Sequence, residues 1–336
     1  MSDRQKVWVS QPLFDDIVAR LHDHFDVVQV PEVSEHDGAT IAAALREVDG
    51  ALVTLNERIG AAEIADAAKL RAVCNLGVGY NNLDVPALQA RGIVATNTPD
   101  VLTETTADFG FALMMAAARR VTEAEHHLRA GKWQGWNFKG LLGADLHGST
   151  LGILGMGRIG QGIARRASGF DMRVLYHNRS RLPADIEQDC KAAYVDFDTL
   201  LAQADHLVLV LPYSAANHHI VDADALAKMQ PTSTLTNIAR GGIVDEAALA
   251  DALANGRLAS AALDVFEGEP AVDPRLLALD NVVLTPHIAS GSLATRRAMV
   301  ALAVDNLIAA LGHGPDAGNP PTPISTAKDP KRPGTA

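Results

Sequence analysis

Apolar runs alternate with amphipathic stretches along the first hundred residues of the chain. Ala- and Leu-rich stretches of helical character, such as Ile41–Val48, separate short runs of β-forming residues. The predicted strands of this part are Val7–Val9, Val27–Val30, Ala51–Leu55, Ala72–Leu76 and Ile93–Thr96. Repeated strand–helix–strand order is typical of a parallel sheet that carries helices on both faces. The pattern therefore predicts a small α/β domain.

A single helical pattern follows, from about Leu102 to Ala130, with Thr103 near its N-terminal cap. Within it, the segment Phe109–Ala118 is nearly all apolar. A helix that is apolar on most of its faces is buried rather than solvent-facing. We therefore expect this helix to join two domains or to lie in a subunit interface.

A second α/β series begins at Thr150, and a further helical pattern covers Leu293–Leu311. The predicted strands of this series are Thr150–Leu154, Arg173–Tyr176, Leu207–Leu211, Thr234–Ile238, Ala261–Val265 and Val282–Leu284. The chain has 336 residues, which is more than one compact core usually holds. The predicted fold class is therefore α/β, with two parallel-sheet domains.

Composition narrows the classes of function. No apolar run approaches the roughly 20 residues that a membrane helix needs, and no apolar segment follows the first residues, so we expect no membrane and no secretory signal. The net charge of −11 repels phosphate backbones, which makes nucleic acid an unexpected partner. Two cysteines, Cys74 and Cys190, form no disulfide framework and fit a reducing compartment. We expect a cytoplasmic protein.

A glycine-rich loop lies between a predicted strand and a predicted helix. The strand Leu151–Leu154 leads into Gly155-Met156-Gly157-Arg158-Ile159-Gly160, which has the spacing G-x-G-x-x-G. The first glycine permits a tight turn, the second lets a pyrophosphate approach the backbone, and the third lets the helix pack closely on the strand. Free N–H groups at the helix N-terminus then face the phosphates. The loop predicts dinucleotide binding, against the alternative of a glycine-rich turn without a ligand.

The end of the next strand indicates which dinucleotide is preferred. NAD-binding domains carry an acidic residue there, which binds the adenosine ribose. This chain has Asn178-Arg179-Ser180-Arg181 instead, a set of donors that suits a 2′-phosphate. We predict a preference for NADP(H), with NAD(H) possible; the alternative is a solvated basic turn.

Three later strands are followed by residues suited to proton and hydride chemistry. Arg240, Glu269 and His287 all lie after predicted strands, and ligands of open α/β sheets bind beyond the carboxyl ends of the strands. His287 can donate a proton near neutral pH, Glu269 can orient the imidazole and favour its charged form, and Arg240 can bind a carboxylate. Each residue alone could be structural, but together they predict reduction of a 2-oxo acid.

These segments resemble the D-isomer-specific 2-hydroxyacid dehydrogenase family over about residues 45 to 320. The matching stretches are Leu154–Gly160, Asn237–Asp245, Leu263–Pro270 and Thr285–Ile288. Asn75–Asp84 and Tyr176–Ser180 carry a narrower resemblance to glyoxylate/hydroxypyruvate reductases and 2-ketogluconate reductases. The resemblance implies NAD(P)H-dependent reduction of glyoxylate, hydroxypyruvate or 2-ketogluconate to D-2-hydroxy acids, and the sequence leaves open which acid is preferred.

The same resemblance implies roles for individual residues. Arg240, Glu269 and His287 become the catalytic set, Asp264 the acceptor for the nicotinamide amide, and Trp136 either reaches a partner subunit's site or packs in an interface. The implied cofactor-binding residues are Gly155, Met156, Gly157, Arg158, Ile159, Gly160, Asn178, Arg179, Ser180, Ala239 and Asp264. The implied substrate-binding residues are Leu76, Gly77, Val78, Gly79, Arg240 and Ser290.

The domain organisation follows from these assignments. We expect a discontinuous, flavodoxin-like substrate domain of residues 1–100 plus 290–325 and a Rossmann nucleotide domain of residues 101–289, with a cleft between them. Residues 326–336 are predicted to form a disordered tail. A homodimer is expected, since a dimer partner would cover the apolar helix.

Other functions remain possible from the sequence. A non-catalytic dinucleotide sensor or corepressor would not need the set of Arg240, Glu269 and His287, and a phosphite or formate dehydrogenase would use a smaller oxyanion. The adjacent pairs His126–His127 and His218–His219 suggest a metal site. Neighbouring residues on a helix or strand point in different directions, so we expect no metal there.

Overall fold

The computed structural model describes residues 4–33 and 36–325. The described chain divides after Leu102 and again after Ser290, so that its two ends belong to one compact unit and its middle to another. The tail predicted for residues 326–336 lies outside the described residues. Among those that are described, no helix combines the length and the apolar character needed to cross a membrane.

The elements follow one another in α/β order. The strands are β1 (Lys6–Val9), β2 (Asp26–Gln29), β3 (Gly50–Val53), β4 (Ala72–Asn75), β5 (Val94–Thr96), β6 (Thr150–Leu154), β7 (Arg173–His177), β8 (Ala192–Tyr194), β9 (His206–Leu209), β10 (Thr234–Asn237), β11 (Ser260–Leu263) and β12 (Val282–Leu284). The α-helices are α1 (Asp15–Val18), α2 (Gly38–Arg46), α3 (Val85–Ala90), α4 (Thr103–Ala118), α5 (Val121–Arg129), α6 (Arg158–Ala167), α7 (Ala184–Asp189), α8 (Phe197–Gln203), α9 (Ala223–Lys228), α10 (Glu246–Ala254), α11 (Pro274–Leu277) and α12 (Leu293–Ala310).

The terminal unit is built on a five-stranded parallel sheet in the order β2-β1-β3-β4-β5. Its two faces carry separate apolar clusters. On one face α12 and α1 pack against the sheet, with Val304 and Leu307 fully buried. On the other, α2 and α3 contribute Leu45 and Leu88, also fully buried. Strands buried on both faces explain the nearly continuous apolar runs in the sequence.

The middle unit holds a seven-stranded parallel sheet in the order β12-β11-β10-β9-β6-β7-β8. Its first strand, β6, pairs with β7 on one side and β9 on the other, so the chain order reverses there. In open parallel sheets the crevice for a ligand lies at such a reversal. The two parallel α/β sheets confirm the predicted fold class. The edge strand β8 was not predicted.

One predicted element is wrong. The helical pattern from Leu102 to Ala130 forms two helices, because the chain turns at Arg120, whose φ is +53°. The apolar helix α4 finds most of its cover inside its own unit, packed on α6, β10 and β11, with Met114 fully buried. It therefore does not need a partner subunit to bury its core-facing side.

Candidate active site and dinucleotide loop

The glycine loop between β6 and α6 has the geometry that its spacing predicts. Gly155 has φ +100°, and a Cβ there would lie 2.5 Å from the backbone nitrogen of Leu211. A Cβ on Gly160 would lie 2.6 Å from the carbonyl oxygen of Gly155, so only glycine allows this close approach of helix and strand. A Cβ on Gly157 would meet no atom within 4 Å. The loop thus leaves open space at the position that a pyrophosphate would approach, and its residues fit a dinucleotide.

The turn after β7 is tied to this loop. Asn178 Oδ1 accepts a hydrogen bond from the backbone N–H of Met156 at 2.6 Å, so the side chain predicted to contact the cofactor also fixes the glycine loop. Arg179 and Ser180 are exposed. Arg181 instead pairs through two hydrogen bonds with Glu187, at 2.9 and 2.7 Å. Both arginines are therefore exposed, but Arg181 is held by a carboxylate.

Glu187 holds the turn after β7 in place through hydrogen bonds. It accepts a hydrogen bond from Tyr176 Oη at 2.7 Å as well as those from Arg181, and these bonds lower its pKa to about 2. Tyr176 Oη in turn accepts from the backbone N–H of Leu182 at 2.8 Å. The carboxylate thus stays charged at neutral pH and holds the segment that follows Ser180.

Asp264, directly after β11, is the hydrogen-bond acceptor for several polar groups. It is fully buried, and burial raises its pKa against the opposing effect of its hydrogen bonds. Its carboxylate accepts from Thr285 Oγ1 at 2.7 Å and from the backbone N–H groups of Ile288 and Ala289, each at 2.8 Å. Its backbone carbonyl accepts from His287 N at 2.9 Å. Asp264 therefore positions the segment that carries His287, and its contact with a nicotinamide amide stays a prediction.

His287 and Glu269 form the pair that the sequence predicted. The Nδ1 atom of His287 lies 2.9 Å from Glu269 Oε2, and the two side chains are 24% and 26% exposed. The other carboxylate oxygen of Glu269 accepts from the backbone N–H of Phe266 at 2.9 Å. Burial disfavours the charge of Glu269, but these partners and Arg240 outweigh it and lower its pKa. The imidazole is thereby oriented so that Nε2 is the nitrogen left to exchange a proton.

The backbone at His287 is itself unusual. Its φ is +53°, a left-handed conformation that costs a residue with a Cβ roughly 1 kcal/mol or more. The hydrogen bonds from its N–H to Asp264 O and Thr285 O hold it there. Such conformations cluster at functional sites, where the fold imposes them to aim a side chain.

Arg240 follows β10 in the same unit and is partly buried. Burial lowers its pKa, while the charge of Glu269 acts in the opposite direction. Its Nη1 donates to the carbonyl of Ala239 at 2.7 Å. Next to it, a Cβ on Gly241 would lie 1.9 Å from the backbone of Phe266. Only glycine allows this contact, which brings the Arg240 loop against the loop that leads to Glu269.

Glu246 is a buried carboxylate that the sequence analysis missed. Its Oε1 accepts from the backbone N–H of Glu267 at 2.6 Å, so it fixes the loop that carries Glu269. Burial raises its pKa, and the neighbouring carboxylates of Glu267 and Asp273 add to the rise. In the sequence it stands directly after the N-cap Asp245 and is indistinguishable from a residue of an acidic helix start.

The loop Leu76–Gly79 belongs to the other unit, directly after β4. Its carbonyls point into that unit: Gly77 O accepts from Thr98 N, Val78 O from Asn97 Nδ2 at 2.8 Å, and Gly79 O from Asn75 Nδ2 at 3.0 Å. The C=O and N–H of a trans peptide point in opposite directions. The N–H groups that follow these carbonyls, those of Val78, Gly79 and Tyr80, are therefore turned away from the interior. The N–H groups of Leu76 and Gly77 instead donate to Val53 O and Asn75 O, at 2.7 and 3.0 Å.

No role was predicted for Asn75, although it begins one of the matching stretches, or for Asn97, because asparagines near strand ends are common turn residues. Asn75 is itself held by Asn82, whose Nδ2 donates to Asn75 Oδ1 at 3.1 Å and to the carbonyls of Thr54 and Glu57. Both Asn75 and Asn82 are buried. Ser290, the last residue of the middle unit, is partly buried, and its predicted role stays a prediction.

Known proteins resemble this chain over most of its length. Residues 111–289 match the family described as "D-isomer specific 2-hydroxyacid dehydrogenase, NAD binding domain". A glyoxylate reductase from Thermococcus kodakarensis is 43% identical over 311 residues, 91% of this chain and 93% of that protein. A glyoxylate/hydroxypyruvate reductase B from Shigella boydii is 45% identical over 310 residues, 92% of this chain and 95% of that protein.

Solved structures resemble the chain over nearly its whole length. The crystal structure of an NADPH-dependent glyoxylate/hydroxypyruvate reductase from Sinorhizobium meliloti, in complex with NADP and malonate, has a TM-score of 0.84 and 37% identity. It covers 96% of this chain and 97% of its own. A protein from Thermus thermophilus has a TM-score of 0.87 and 38% identity, over 95% of this chain and all of its own.

Proposed function

This chain belongs to the D-isomer specific 2-hydroxyacid dehydrogenase family, and we propose that it is an NADP-preferring glyoxylate/hydroxypyruvate reductase. It carries out NAD(P)H-dependent reduction of 2-oxo acids. The observation that supports this most strongly is the 2.9 Å contact between His287 and Glu269 in the unit that also holds the glycine loop. A dinucleotide sensor has no need of an oriented acid and its carboxylate.

The proposed chemistry divides between the cofactor and the protein. Bound NADPH supplies the hydride for the carbonyl carbon. His287 donates a proton from Nε2 to the carbonyl oxygen, while Glu269 stabilises the imidazolium through Nδ1. Arg240 binds the substrate carboxylate and polarises the carbonyl with its planar set of donors. In the loop Leu76–Gly79, the outward N–H groups of Val78 and Gly79 are further candidates for carboxylate binding.

Preference for NADPH rests on the turn after β7. No carboxylate stands in Asn178–Ser180, and the exposed Arg179 can pair with a 2′-phosphate. The carboxylate of Glu187, which accepts from Tyr176 beneath the turn, is itself paired with Arg181. The name of the Sinorhizobium meliloti relative, which describes it as NADPH-dependent, agrees with this preference.

The preferred substrates are proposed to be glyoxylate and hydroxypyruvate, with 2-ketogluconate as a third candidate. The test is the rate of NADPH and NADH oxidation with these three acids and pyruvate. We expect turnover of glyoxylate and hydroxypyruvate, and kcat/KM at least about tenfold higher with NADPH than with NADH, a difference of about 1.4 kcal/mol. Binding of NADPH without turnover of any acid would instead indicate a sensor. Oxidation of phosphite or formate would indicate the other dehydrogenase class.

A homodimer is also proposed, and its support lies after α4. Residues 131–140 are all exposed, although the stretch from α5 to Leu142 is rich in large apolar side chains. The exposed fractions are Leu128 58%, Trp133 62%, Trp136 81%, Phe138 77% and Leu142 65%. Apolar patches of this kind mark interfaces between subunits. Trp136, the most exposed of them, is available to reach a partner.

Sedimentation tests the dimer. Phe138→Asp should convert the dimer to a monomer, because a buried unpaired charge is costly in an apolar interface. Leu277→Asp is a matched control, since Leu277 is 62% exposed but lies on α11, outside this stretch. A wild-type chain that sediments as a monomer would refute the proposal.

Residence in the cytoplasm is proposed on the state of the two cysteines. Cys74 and Cys190 are both buried free thiols, as expected in a reducing compartment.

A further inference from the structure

Two neighbouring histidines outside the proposed catalytic set converge rather than diverge. The rings of His218 and His219 stack with their centroids 3.9 Å apart and an interplanar angle of 24°. The expectation that they point in different directions holds for helices and strands. Here it is wrong, because His219 has φ +51° and the turn places both rings on one side of the chain.

A carboxylate from another loop completes the group. His219 Nε2 lies 3.0 Å from Glu267 Oε2, and His218 Nε2 lies 3.9 Å from Glu267 Oε1. One ligand atom from each of the three residues lies within 4.8 Å of the others. Ligands at the usual Zn²⁺ distance of about 2.0–2.1 Å stand roughly 3.3 Å apart in a tetrahedron, so small side-chain rotations suffice. Two imidazoles and one carboxylate are an established zinc ligand set.

The surroundings of the group also suit a metal ion. Tyr213 Oη lies 3.2 Å from Nδ1 of His218, so this ring can donate its N–H there and leave Nε2 to an ion. The backbone N–H of His219 donates to Gly242 O at 2.8 Å and fixes the turn. The three side chains are 43%, 32% and 43% exposed, which gives an ion access and leaves a coordination position for water.

We propose that His218, His219 and Glu267 form a Zn²⁺ site whose occupation slows turnover. The ion would join the loop after β9 to the loop after β11. Between these strands lies β10, whose following loop carries Arg240. Glu267 is also only two residues from Glu269, so a shift of Glu267 towards an ion displaces the partner of His287. The effect on turnover rests on the proposed function, whereas the metal site does not.

The rest of the chain offers a matched control. His126 and His127 are also adjacent, but they lie on the helix α5, where neighbouring side chains diverge. The two thiols are weak competitors for the ion, because burial raises the pKa of Cys74 to about 12 and also raises that of Cys190. A cysteine binds a metal ion as the thiolate, and both of these thiols hold their protons.

Calorimetric titration of ZnCl₂ into the full chain, freed of metal with EDTA, tests the site. We expect one ion per chain with Kd on the order of 1 μM. His219→Gln and Glu267→Gln should each raise Kd at least about tenfold, the equivalent of 1.4 kcal/mol. The double variant His126→Gln/His127→Gln should bind as the wild type does. Circular dichroism of each variant confirms that it is folded before titration.

Co²⁺ in place of Zn²⁺ gives a second readout, because its visible absorption reports the ligand geometry. We expect a band of four- or five-coordinate Co²⁺ in the wild type and its loss in Glu267→Gln. Unchanged Kd in both His219→Gln and Glu267→Gln would overturn the site, as would loss of binding in His126→Gln/His127→Gln.

The effect on turnover is measured with NADPH and hydroxypyruvate at saturating Zn²⁺. We expect kcat to fall at least about threefold, or about 0.65 kcal/mol, to recover on addition of EDTA, and to fall equally in His126→Gln/His127→Gln. Binding without such a fall would overturn the effect on turnover. Calorimetry needs no turnover, so a failure of the proposed function leaves the metal site decidable.

Discussion

Replacement of Glu269 by glutamine removes one negative charge and almost no volume. In the wild type the two carboxylate oxygens have different partners: Oε2 faces His287 Nδ1 at 2.9 Å and Oε1 accepts from Phe266 N at 2.9 Å. Glutamine has one acceptor and one donor at these positions. Its oxygen can still accept from Phe266 N–H and its amide can donate to Nδ1 of a neutral imidazole, but no acceptor is left for the Nδ1–H of the imidazolium.

The size of the effect follows from the environment of the pair. A hydrogen bond to a charged group contributes about 1.5–3 kcal/mol. Because the side chains of His287 and Glu269 are about one-quarter exposed, we take the lower part of this range, about 1.5–2 kcal/mol. If the bond is fully expressed in the transition state, kcat for Glu269→Gln falls roughly 10- to 30-fold.

The assay is steady-state reduction of hydroxypyruvate, with NADPH affinity measured separately by fluorescence. We expect an unchanged Kd for NADPH, since Glu269 is not assigned to the cofactor. The pKa of Glu269 is lowered, so its charge is lost only as the pH falls below its ordinary titration range. In Glu269→Gln that charge is absent, so the imidazole holds the donated proton less readily. As the pH rises, reduction should therefore be lost at a lower pH in the variant than in the wild type.

Asp251→Asn is the control, since it removes a carboxylate of an exposed ion pair with Arg275 in the same unit. Such pairs contribute little, so kcat should change less than about twofold. A Glu269→Gln variant with wild-type kcat and an unchanged pH profile would refute the role assigned to the carboxylate.

Three further predictions concern the substrate and the cofactor. Arg240→Ala should raise KM and lower kcat together. Arg240→Lys should restore only part of the activity, because an ammonium group lacks the planar set of donors of a guanidinium. Wild-type kinetics in the lysine variant would contradict this. Asn178→Asp with Arg179→Ala should lower kcat/KM for NADPH about thirtyfold (on the order of 2 kcal/mol) and improve it for NADH, and equal use of both cofactors by the wild type would count against the assignment. Asn97→Ala should raise KM for the 2-oxo acid about 5- to 30-fold through loss of the bond to the carboxylate loop, with a smaller change in kcat, and an unchanged KM would exclude that loop.

Much of the fold could be predicted from short segments of the sequence. The strands β6 and β12 have the bounds that the sequence predicted, because each is a short apolar run between turn residues. Roles for the three glycines of the loop after β6 could be predicted, because each role is local. One glycine permits the tight turn, one allows a pyrophosphate to approach, and one allows the helix to pack on the strand. The family inferred from these motifs is confirmed by the comparisons.

Features that depend on distant contacts were not accessible in the same way. The helical pattern across residues 119–120 continues without a glycine or proline, yet the chain turns at Arg120, whose side chain pairs with Glu123 and contacts Leu142 O. The strand β8 lies at a sheet edge and is only three residues long. Its pairing with β7, not its composition, makes it a strand.

The residues of the candidate site also differ in whether local sequence or distant contacts determine them. His287, Glu269 and Arg240 could be proposed from the sequence, because chemistry-bearing residues follow successive strands of a parallel sheet. Glu246 could not, because its contact with Glu267 N spans 21 positions of the sequence. The side chains of His218 and His219 were predicted to diverge, but they stack. The reason is the left-handed backbone of His219, which changes the direction expected for neighbouring side chains.

The most direct test of the account is the turnover number of His287→Ala with NADPH and hydroxypyruvate. A general acid contributes about 10²- to 10⁴-fold, so kcat should fall at least about 100-fold. The Kd for NADPH, which depends on residues of the glycine loop and the turn after β7, should stay close to that of the wild type. A His287→Ala variant that reduces hydroxypyruvate and glyoxylate at nearly the wild-type rate would contradict the mechanism.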